Sequence, residues 1–249
     1  MNKIAIFVEG QTEELFAERL LLVMAGDSNI QIEKREARGG VSFKRRMRLV
    51  EVCGSISGHQ FYAMIVNCGA DERVGTDIHE RYDGLVKTGF GWIVGMRDLY
   101  RGDVLPHVLR AKLPDVKMEF QKYLKTKPVQ VQFVLAVMEV EAWFLAECTH
   151  FARISPALTI PHIKAAVGFD PCTDDMELRD HPSEDLDKIY RLAALPYDKK
   201  RGTVQLMIEA LDFAEICLVL VNKFDSLRLL IRTVDEFLTP PSTSQQAQA

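Results

Sequence analysis

The chain has 249 residues, 47% of them hydrophobic, and a formal net charge of −4 at pH 7. This length allows one large domain, or an α/β domain with a smaller helical partner, and enough apolar residues for a sizeable core. The mildly acidic total gives no sign of nucleic-acid binding, although a local basic face can still provide it.

The five cysteines are unevenly spaced and none forms a C-x-x-C pair, so neither a zinc site nor a disulfide framework is expected. The chain opens with a short charged strand rather than an export signal, and the apolar run at 216–221 is too short to cross a membrane. These features predict a cytoplasmic protein that does not contact membranes.

The first predicted element is a buried strand at 4–8, a continuous apolar run that ends at Glu9-Gly10. A helix follows, with Thr12 as its predicted cap and Gly26 as its end. Further strands are expected at 31–38, 61–66, 91–95 and 129–137. Helices are expected between the strands, including a basic helix around 44–48 and one at 78–86, and after the last strand at 138–145. This alternation predicts a parallel α/β sheet.

Predicted strands stop near residue 149, and helices are expected at 183–193, 204–213 and 224–237. The last ten residues are polar and rich in Pro, Ser and Gln, so they are predicted to be disordered. The expected organisation is an α/β domain at 1–149, a helical part at 150–239 packed on it, and a tail at 240–249.

Acidic residues follow the predicted strands at the point where each strand ends. Glu9, Asp71 and Asp98 each lie just past a strand, and Glu139 and Glu141 follow the last one. Ligands of open parallel sheets bind outside the carboxyl ends of the strands, so these acids are candidates to hold Mg²⁺ or Mn²⁺. Such an ion polarises a phosphoryl group and prepares a water for attack.

An ordinary capping role is the alternative for any one of these acids. For Glu9 the functional interpretation is favoured, because Gly10 lets the chain turn sharply and lets a phosphate or metal approach the backbone. Residues two apart diverge on a helix, so only one of Glu139 and Glu141 is expected to face the site, and Glu141 is favoured.

A basic cluster in the second quarter of the chain is the densest in this acidic protein. Its candidate nucleic-acid-binding residues are Arg38, Lys44, Arg45, Arg46 and Arg48. They predict contact with a phosphate backbone, and a solvated helix face is an equally weighted alternative.

The string Ile6-Phe7-Val8-Glu9-Gly10-Gln11-Thr12-Glu13-Glu14-Leu15-Phe16 resembles the first motif of Toprim domains. In particular it resembles a family of small bacterial Toprim-like proteins related to the nuclease halves of OLD-type and RloB-type proteins. Weaker similarities lie at 97–100, 138–144 and 197–199, scattered over about the first 200 residues.

This resemblance implies a Toprim fold, with a four-stranded parallel sheet between helices. It implies that Glu9 is a metal-linked acid/base, that Asp98 is a metal ligand and that Lys199 steadies phosphate charge. The OLD-type relatives cut DNA or RNA, often in phage defence beside a partner ATPase.

One departure from the Toprim pattern separates the functional hypotheses. Toprim enzymes usually carry Asp-x-Asp, whereas this chain reads Asp98-Leu99-Tyr100, and neither Asp71 nor Asp103 has the spacing to replace the second acid. The first hypothesis is a metal-dependent phosphodiesterase of nucleic acid, with Glu9 and Lys199 catalytic. In it Glu9, Asp98, Glu141 and Asp71 hold the metal.

The second hypothesis is a non-catalytic regulatory or binding subunit whose vestigial site accompanies a partner ATPase. A third is an enzyme that acts on a small phosphorylated molecule, because a Toprim site does not itself fix substrate size.

Overall fold

A computed structural model of the chain describes residues 1–26, 29–39, 45–55, 57–100, 102 and 104–239. Within these residues a six-stranded sheet is flanked by ten α-helices. The strands are β1 (Asn2–Val8), β2 (Ile30–Arg38), β3 (Arg46–Gly54), β4 (Phe61–Asn67), β5 (Trp92–Asp98) and β6 (Val131–Ala136). The helices are α1 (Gln11–Ala25), α2 (Asp71–Lys87), α3 (Pro106–Tyr123), α4 (Glu141–Ala146), α5 (His150–Ile154), α6 (Ile160–Val167), α7 (Pro182–Arg191), α8 (Arg201–Ala210), α9 (Phe213–Leu218) and α10 (Asp225–Leu238).

The strand order across the sheet is β3-β2-β4-β1-β5-β6. Every neighbouring pair is parallel except β2 and β3, which are antiparallel. The central strands β1, β4 and β5 are nearly continuous apolar runs, as expected for parallel strands covered by helices on both faces. The predicted α/β class, with its parallel sheet and mainly helical C-terminal part, is confirmed.

Alternate residues of β1 enter two different cores because successive side chains of a strand point to opposite faces. Ile4 and Ile6 pack with α1 and the C-terminal helices, whereas Ala5 and Phe7 pack with α2 and residues of β6. The ring of Phe237, in α10, lies against strand residues of the first face. The C-terminal helices therefore share one core with the sheet.

The N-terminus of α1 differs from its predicted cap. Gly10 is the N-cap, its N–H donates to Glu13 Oε2 at 3.0 Å, and Thr12 lies inside the first turn. Glu13 lies three positions after Gly10, so the glutamate reaches back to the cap backbone as in a capping box. The cap position therefore falls immediately after Glu9.

The predicted basic helix around 44–48 is wrong for its described part. Residues from Arg46 onward form β3, which pairs with β2 along its length. Val50 and Val52 favour an extended strand, and tertiary pairing outweighs the local charge pattern. Helix α3 has no counterpart among the predicted elements, because Pro114 in its interior conceals it.

Two further differences concern the sheet and the cysteines. The sheet has six strands with an antiparallel edge, rather than the four parallel strands that the Toprim resemblance implies. A disulfide joins Cys148 to Cys172. The uneven spacing of the cysteines gave no sign of this disulfide. Pairing depends instead on the 5.4 Å approach of the two Cα atoms in the fold.

Gly95 is a position in β5 where a side chain has no room. A Cβ atom placed there would lie 2.6 Å from Phe133 and 2.8 Å from Ile78. We expect Gly95→Ala to destabilise the protein by about 1–3 kcal/mol through overpacking, measured by urea unfolding. Gly91→Ala is the matched control, since a Cβ atom placed at Gly91 would meet nothing within 4 Å. Equal stability of both variants would contradict this account of the core.

Candidate acidic site

The acidic site lies at the carboxyl ends of β1, β5 and β6, three neighbouring parallel strands. Glu9 follows β1, Asp98 ends β5, and Glu139 and Glu141 follow β6. The ends are aligned, because Asp98 lies opposite Ala136 across the β5–β6 pair. The sheet topology thus brings together acids that are up to 132 residues apart in the chain, a separation taken between Glu9 and Glu141.

Three of these carboxylates could hold one metal ion. Asp98, Glu139 and Glu141 each offer one oxygen, and these oxygens lie within 4.8 Å of one another. An ion with ligand distances of about 2.1 Å needs oxygens no more than roughly 4.2 Å apart. A small inward movement of the side chains would therefore complete the contact.

Both Glu139 and Glu141 face this site, so the expectation that only one of them could do so is wrong. Glu139 lies before α4, which begins at Glu141, so the divergence of residues two apart on a helix does not apply. The Nζ atom of Lys199 lies 3.0 Å from Glu139 Oε1 and 3.2 Å from Glu141 Oε1. One cation therefore bridges the two carboxylates.

Contacts from the helical part of the chain hold these glutamates in place. Ser183, at the start of α7, donates to Glu139 from its N–H at 2.8 Å and from its hydroxyl at 2.9 Å. The Tyr197 hydroxyl donates to Glu141 Oε1 at 3.0 Å. Each glutamate is thus positioned by a group that the sheet itself does not supply.

Lys199 reaches the carboxylates from an unusual backbone conformation. Its φ is +54°, in the left-handed region that non-glycine residues adopt infrequently, and its carbonyl accepts from Gln11 Nε2 at 3.3 Å. Such conformations persist where the surrounding structure enforces them, and they are concentrated at functional sites. The contact with α1 fixes the loop that delivers the ammonium group.

Glu9 lies beside the three-carboxylate group rather than within it. Its Oε2 accepts from the backbone N–H of Asp98 at 3.1 Å, and Asp98 Oδ1 accepts from the N–H of Val140 at 3.0 Å. These two bonds link the ends of β1, β5 and β6 directly. Glu9 is consequently oriented toward the same edge as the other acids.

The site carries more negative charge than its surroundings neutralise. Burial, and then the nearby carboxylates of Glu13 and Glu141, raise the pKa of Asp98 well above its usual value. Burial also raises the pKa of Glu141, against the opposing effect of Lys199. Partial burial works against the charge of Lys199, but Glu141 and Glu139 outweigh it and raise its pKa.

One atom of the site fits a metal ligand in particular. Glu141 is 1% exposed, and its Oε2 is buried without a hydrogen-bond partner, whereas its Oε1 has two donors. An unpaired carboxylate oxygen in the interior costs free energy unless a cation compensates it. The donor set is all carboxylate oxygen, which suits hard divalent cations such as Mg²⁺ or Mn²⁺.

The remaining predicted site residues are more distant or differently engaged. Asp71 begins α2 beyond β4, and its side chain lies outside the described residues, as does Lys44. Arg45 is an internal residue, because it contacts Asp77 and three backbone carbonyls. Its side chain is only 10% exposed, so it does not present the surface cation that the prediction of nucleic-acid binding assumed.

The other basic candidates lie on the surface near the carboxyl end of β2. Arg38 pairs with Glu36, and Arg46 and Arg48 are exposed on β3. Arg46 lies opposite Arg38 at the carboxyl end of β2. Three strand spacings separate β3 from β1, so these residues lie roughly 14 Å to the side of β1.

Glu13 is the site residue that the sequence did not reveal as such. It is 5% exposed, and burial, followed by the charge of Glu141, raises its pKa to about 8. Its position in the first turn of a helix gives an ordinary dipole explanation, which hides its proximity to Glu141. Tyr197 belongs to a stretch that the Toprim resemblance includes, whereas the sequence indicated Ser183 only as the start of a predicted helix.

An α/β protein with a buried acidic site at the carboxyl edge of its sheet is the class that the fold and geometry define. The chain belongs to the family described as a domain of unknown function, DUF4276, whose model matches residues 8–227. Neither the curated proteins nor the solved structures contain a significant match. The matched range begins at the last residue of β1, includes Lys199 in the loop between α7 and α8, and ends in the first turn of α10. Among the described residues, no helix combines the length and apolar character needed to span a membrane.

Glu13 should make stability depend on pH in the absence of divalent metal. Its folded pKa of about 8 exceeds its ordinary value of 4.5, so the folded protein retains a proton that the unfolded chain releases. The stability from Glu13 is therefore complete below 4.5 and is lost as pH rises through about 8.

We expect Glu13→Gln, which keeps an acceptor for the Gly10 N–H, to reduce this loss by roughly 1–2 kcal/mol. Urea unfolding in chelator at the two ends of the pH window measures the difference. Glu209→Gln, an exposed glutamate of α8, is the control. A pH profile of Glu13→Gln identical to that of the parent protein would contradict the raised pKa.

Proposed function

We propose that the protein is a Mg²⁺- or Mn²⁺-dependent phosphodiesterase of nucleic acid, with a Toprim-like site. The observation that carries the proposal is the approach of one carboxylate oxygen each from Asp98, Glu139 and Glu141 to within 4.8 Å of one another, and the buried Glu141 Oε2, which has no hydrogen-bond partner, supports it. A divalent ion bound there would polarise a phosphoryl oxygen and lower the pKa of a bound water. The resemblance of the Glu9 motif to Toprim nucleases adds independent support.

In this proposal the residues of the chain divide the remaining work. Glu9, adjacent to the metal ligands, accepts the proton of the attacking water, whose oxygen bonds to phosphorus as the bond to the leaving ribose oxygen breaks. Lys199, 44% exposed, offsets the charge that develops on the phosphate. A proton must then reach the leaving oxygen, and we assign this step to Glu13, a buried carboxyl group of the same site whose pKa is raised in the absence of metal by burial and then by the charge of Glu141.

The exposed arginines are consistent with a polymeric substrate. Arg46 and Arg48 lie at the edge of the sheet roughly 14 Å from β1. A nucleic-acid strand crossing the carboxyl edge would place phosphates beside both the acidic site and these side chains. A small phosphorylated molecule would reach only one of the two, so we favour the polymer.

A second candidate function is a non-catalytic subunit that accompanies an ATPase. Tyr100 occupies the position of the second acid of Asp-x-Asp, and its ring contacts His181. Lys199 already compensates two carboxylates, as it would in a site that no longer binds metal. Metal binding separates the two candidates, because the subunit hypothesis requires none.

An intracellular nucleic-acid substrate would place the protein in the cytoplasm, and a role in phage defence would follow from the relatives that the motif resembles. The Cys148–Cys172 disulfide is the observation against a cytoplasmic location, because disulfides are rare in reducing compartments.

Calorimetric titration of Mn²⁺ tests the metal site first. We expect binding to the parent protein and its loss in Asp98→Asn, because Asp98 supplies one of the three converging oxygens. Glu209→Gln should bind as the parent does, since it removes an equivalent charge from the surface.

The same variants then test cleavage of single-stranded and duplex DNA and of RNA. Glu9→Gln and Asp98→Asn should each lower the metal-dependent rate by about 100-fold or more. Mn²⁺ binding to the parent protein without cleavage of any of these nucleic acids would reject the nuclease hypothesis. No Mn²⁺ binding to the parent protein would favour the hypothesis of a non-catalytic subunit.

Lys199 should compete with the metal for the carboxylates. Its ammonium lies on Glu139 Oε1 and Glu141 Oε1, so it neutralises two of the carboxylates that a divalent ion would need and would repel that ion. We expect Lys199→Met to bind Mn²⁺ roughly tenfold more tightly, equivalent to about 1.4 kcal/mol, while cleaving more slowly. Lys200→Met, whose ammonium pairs with Asp198 instead, is the control. Weaker Mn²⁺ binding to Lys199→Met would show that the ammonium organises the site rather than competing for it.

A further inference from the structure

The two edges of the sheet are treated differently by the fold. At one edge, β6 is almost entirely buried, and Ser226 of α10 donates to the Leu135 carbonyl at 2.5 Å. At the other, β3 pairs with β2 and, within the described residues, has no strand on its outer side. Leu49, Val50 and Val52 of β3 are 47%, 51% and 42% exposed. An edge of this kind offers unpaired backbone groups to another strand.

An irregularity in β3 changes which of its side chains share a face. Lys34 pairs with Glu51 and Arg35 pairs with Leu49, so Val50 is an extra residue in the strand. Arg48 lies opposite Glu36, which is two residues from Lys34 and therefore on the same face of β2. Arg48 and Glu51 consequently lie on one face of the sheet, although residues three apart in a regular strand would lie on opposite faces.

We propose that two copies of this chain associate by pairing their β3 strands antiparallel about a two-fold axis. In the register that we infer, Leu49 lies opposite the partner's Val50 and Arg48 lies opposite the partner's Glu51. Two-fold symmetry repeats both pairs, so the interface has an apolar centre with an opposite-charge pair on each side. The sheet then continues from one copy into the other.

The extra residue Val50 forms a β-bulge in β3, and this bulge selects the register. A two-fold axis normal to the sheet keeps each side chain on its own face, so paired residues must come from the same face. Arg48 and the partner's Glu51 meet that condition because of the bulge at Val50. A shift of one residue in either direction would place Arg48 opposite the partner's Val50 or the partner's Val52, and would leave both charges facing apolar side chains.

Glu51 remains available for the pairing although it already has partners. Its carboxylate lies 2.5 Å from Lys34 and 3.5 Å from Arg201, and its side chain is 47% exposed. A carboxylate accepts several hydrogen bonds through its two oxygens. The proposed interface lies at the edge of the sheet away from β5 and β6, so it leaves the acidic site itself free. It would, however, occupy Arg46 and Arg48, the side chains proposed above to contact nucleic acid, so a dimer would limit that contact to the acidic site.

Sedimentation equilibrium of the full chain tests the association. We expect a species of twice the 28.2 kDa chain mass, and we expect Arg48→Glu to raise its dissociation constant at least about tenfold by setting like charges opposite each other. Leu218→Glu, at a 73% exposed position of α9, should leave the dimer intact. Circular dichroism confirms that each variant is folded.

Cross-linking tests the register separately. The inferred register places Arg46 opposite the partner's Cys53. Arg46→Cys should therefore form a covalent dimer on mild oxidation, and Arg46→Cys combined with Cys53→Ser should not. A parent protein that stays monomeric at every concentration, or a dimer that Arg48→Glu leaves unchanged, would overturn the proposal. A dimer without the Arg46→Cys cross-link would overturn the register.

Discussion

The ion pairs of Lys199 with Glu139 and Glu141 connect the two parts of the chain at one point. The sheet places acids at the ends of adjacent parallel strands, and burial there makes their charge costly. The helical part supplies the compensating ammonium, together with the hydroxyls of Ser183 and Tyr197. The acidic site is therefore a product of both parts, and removal of the helical part would take away the Ser183, Tyr197 and Lys199 donors of Glu139 and Glu141.

The single charge of Lys199 does not neutralise all the carboxyl groups of the acidic site, and the remaining negative charge bears on the chemistry of the site. One ammonium faces several carboxyl groups, so the pKa values of Glu13, Asp98 and Glu141 are all raised, in each case by burial first. Structural ion pairs usually lower the pKa of a carboxyl group, because the partner stabilises the charged form. Raised values in a cluster are more typical of sites that receive a cation or move protons.

Much of the fold could be predicted from the sequence, because parallel strands buried on both faces have continuous runs of apolar residues, as at β1 and β4. β3 could not, since its outer face is exposed and its charges suggested a helix. The acids that end strands were visible in the same way as the strands themselves. Ser183 and the common orientation of Glu139 and Glu141 depend on where distant segments meet, which no local pattern contains.

The absence of the second acid of Asp-x-Asp is a weaker argument against metal binding in the folded structure than it is in the sequence alone. Position 100 is a tyrosine, 38% exposed and in ring contact with His181, so it offers no carboxylate. The β5–β6 register, however, aligns Asp98 with Ala136, and the chain then continues directly to Glu139 and Glu141. A neighbouring strand thus brings two carboxylates within 4.8 Å of Asp98. Since a metal responds to the positions of oxygen atoms and not to their order in the chain, the loss at Tyr100 is by itself a weak argument for a vestigial site.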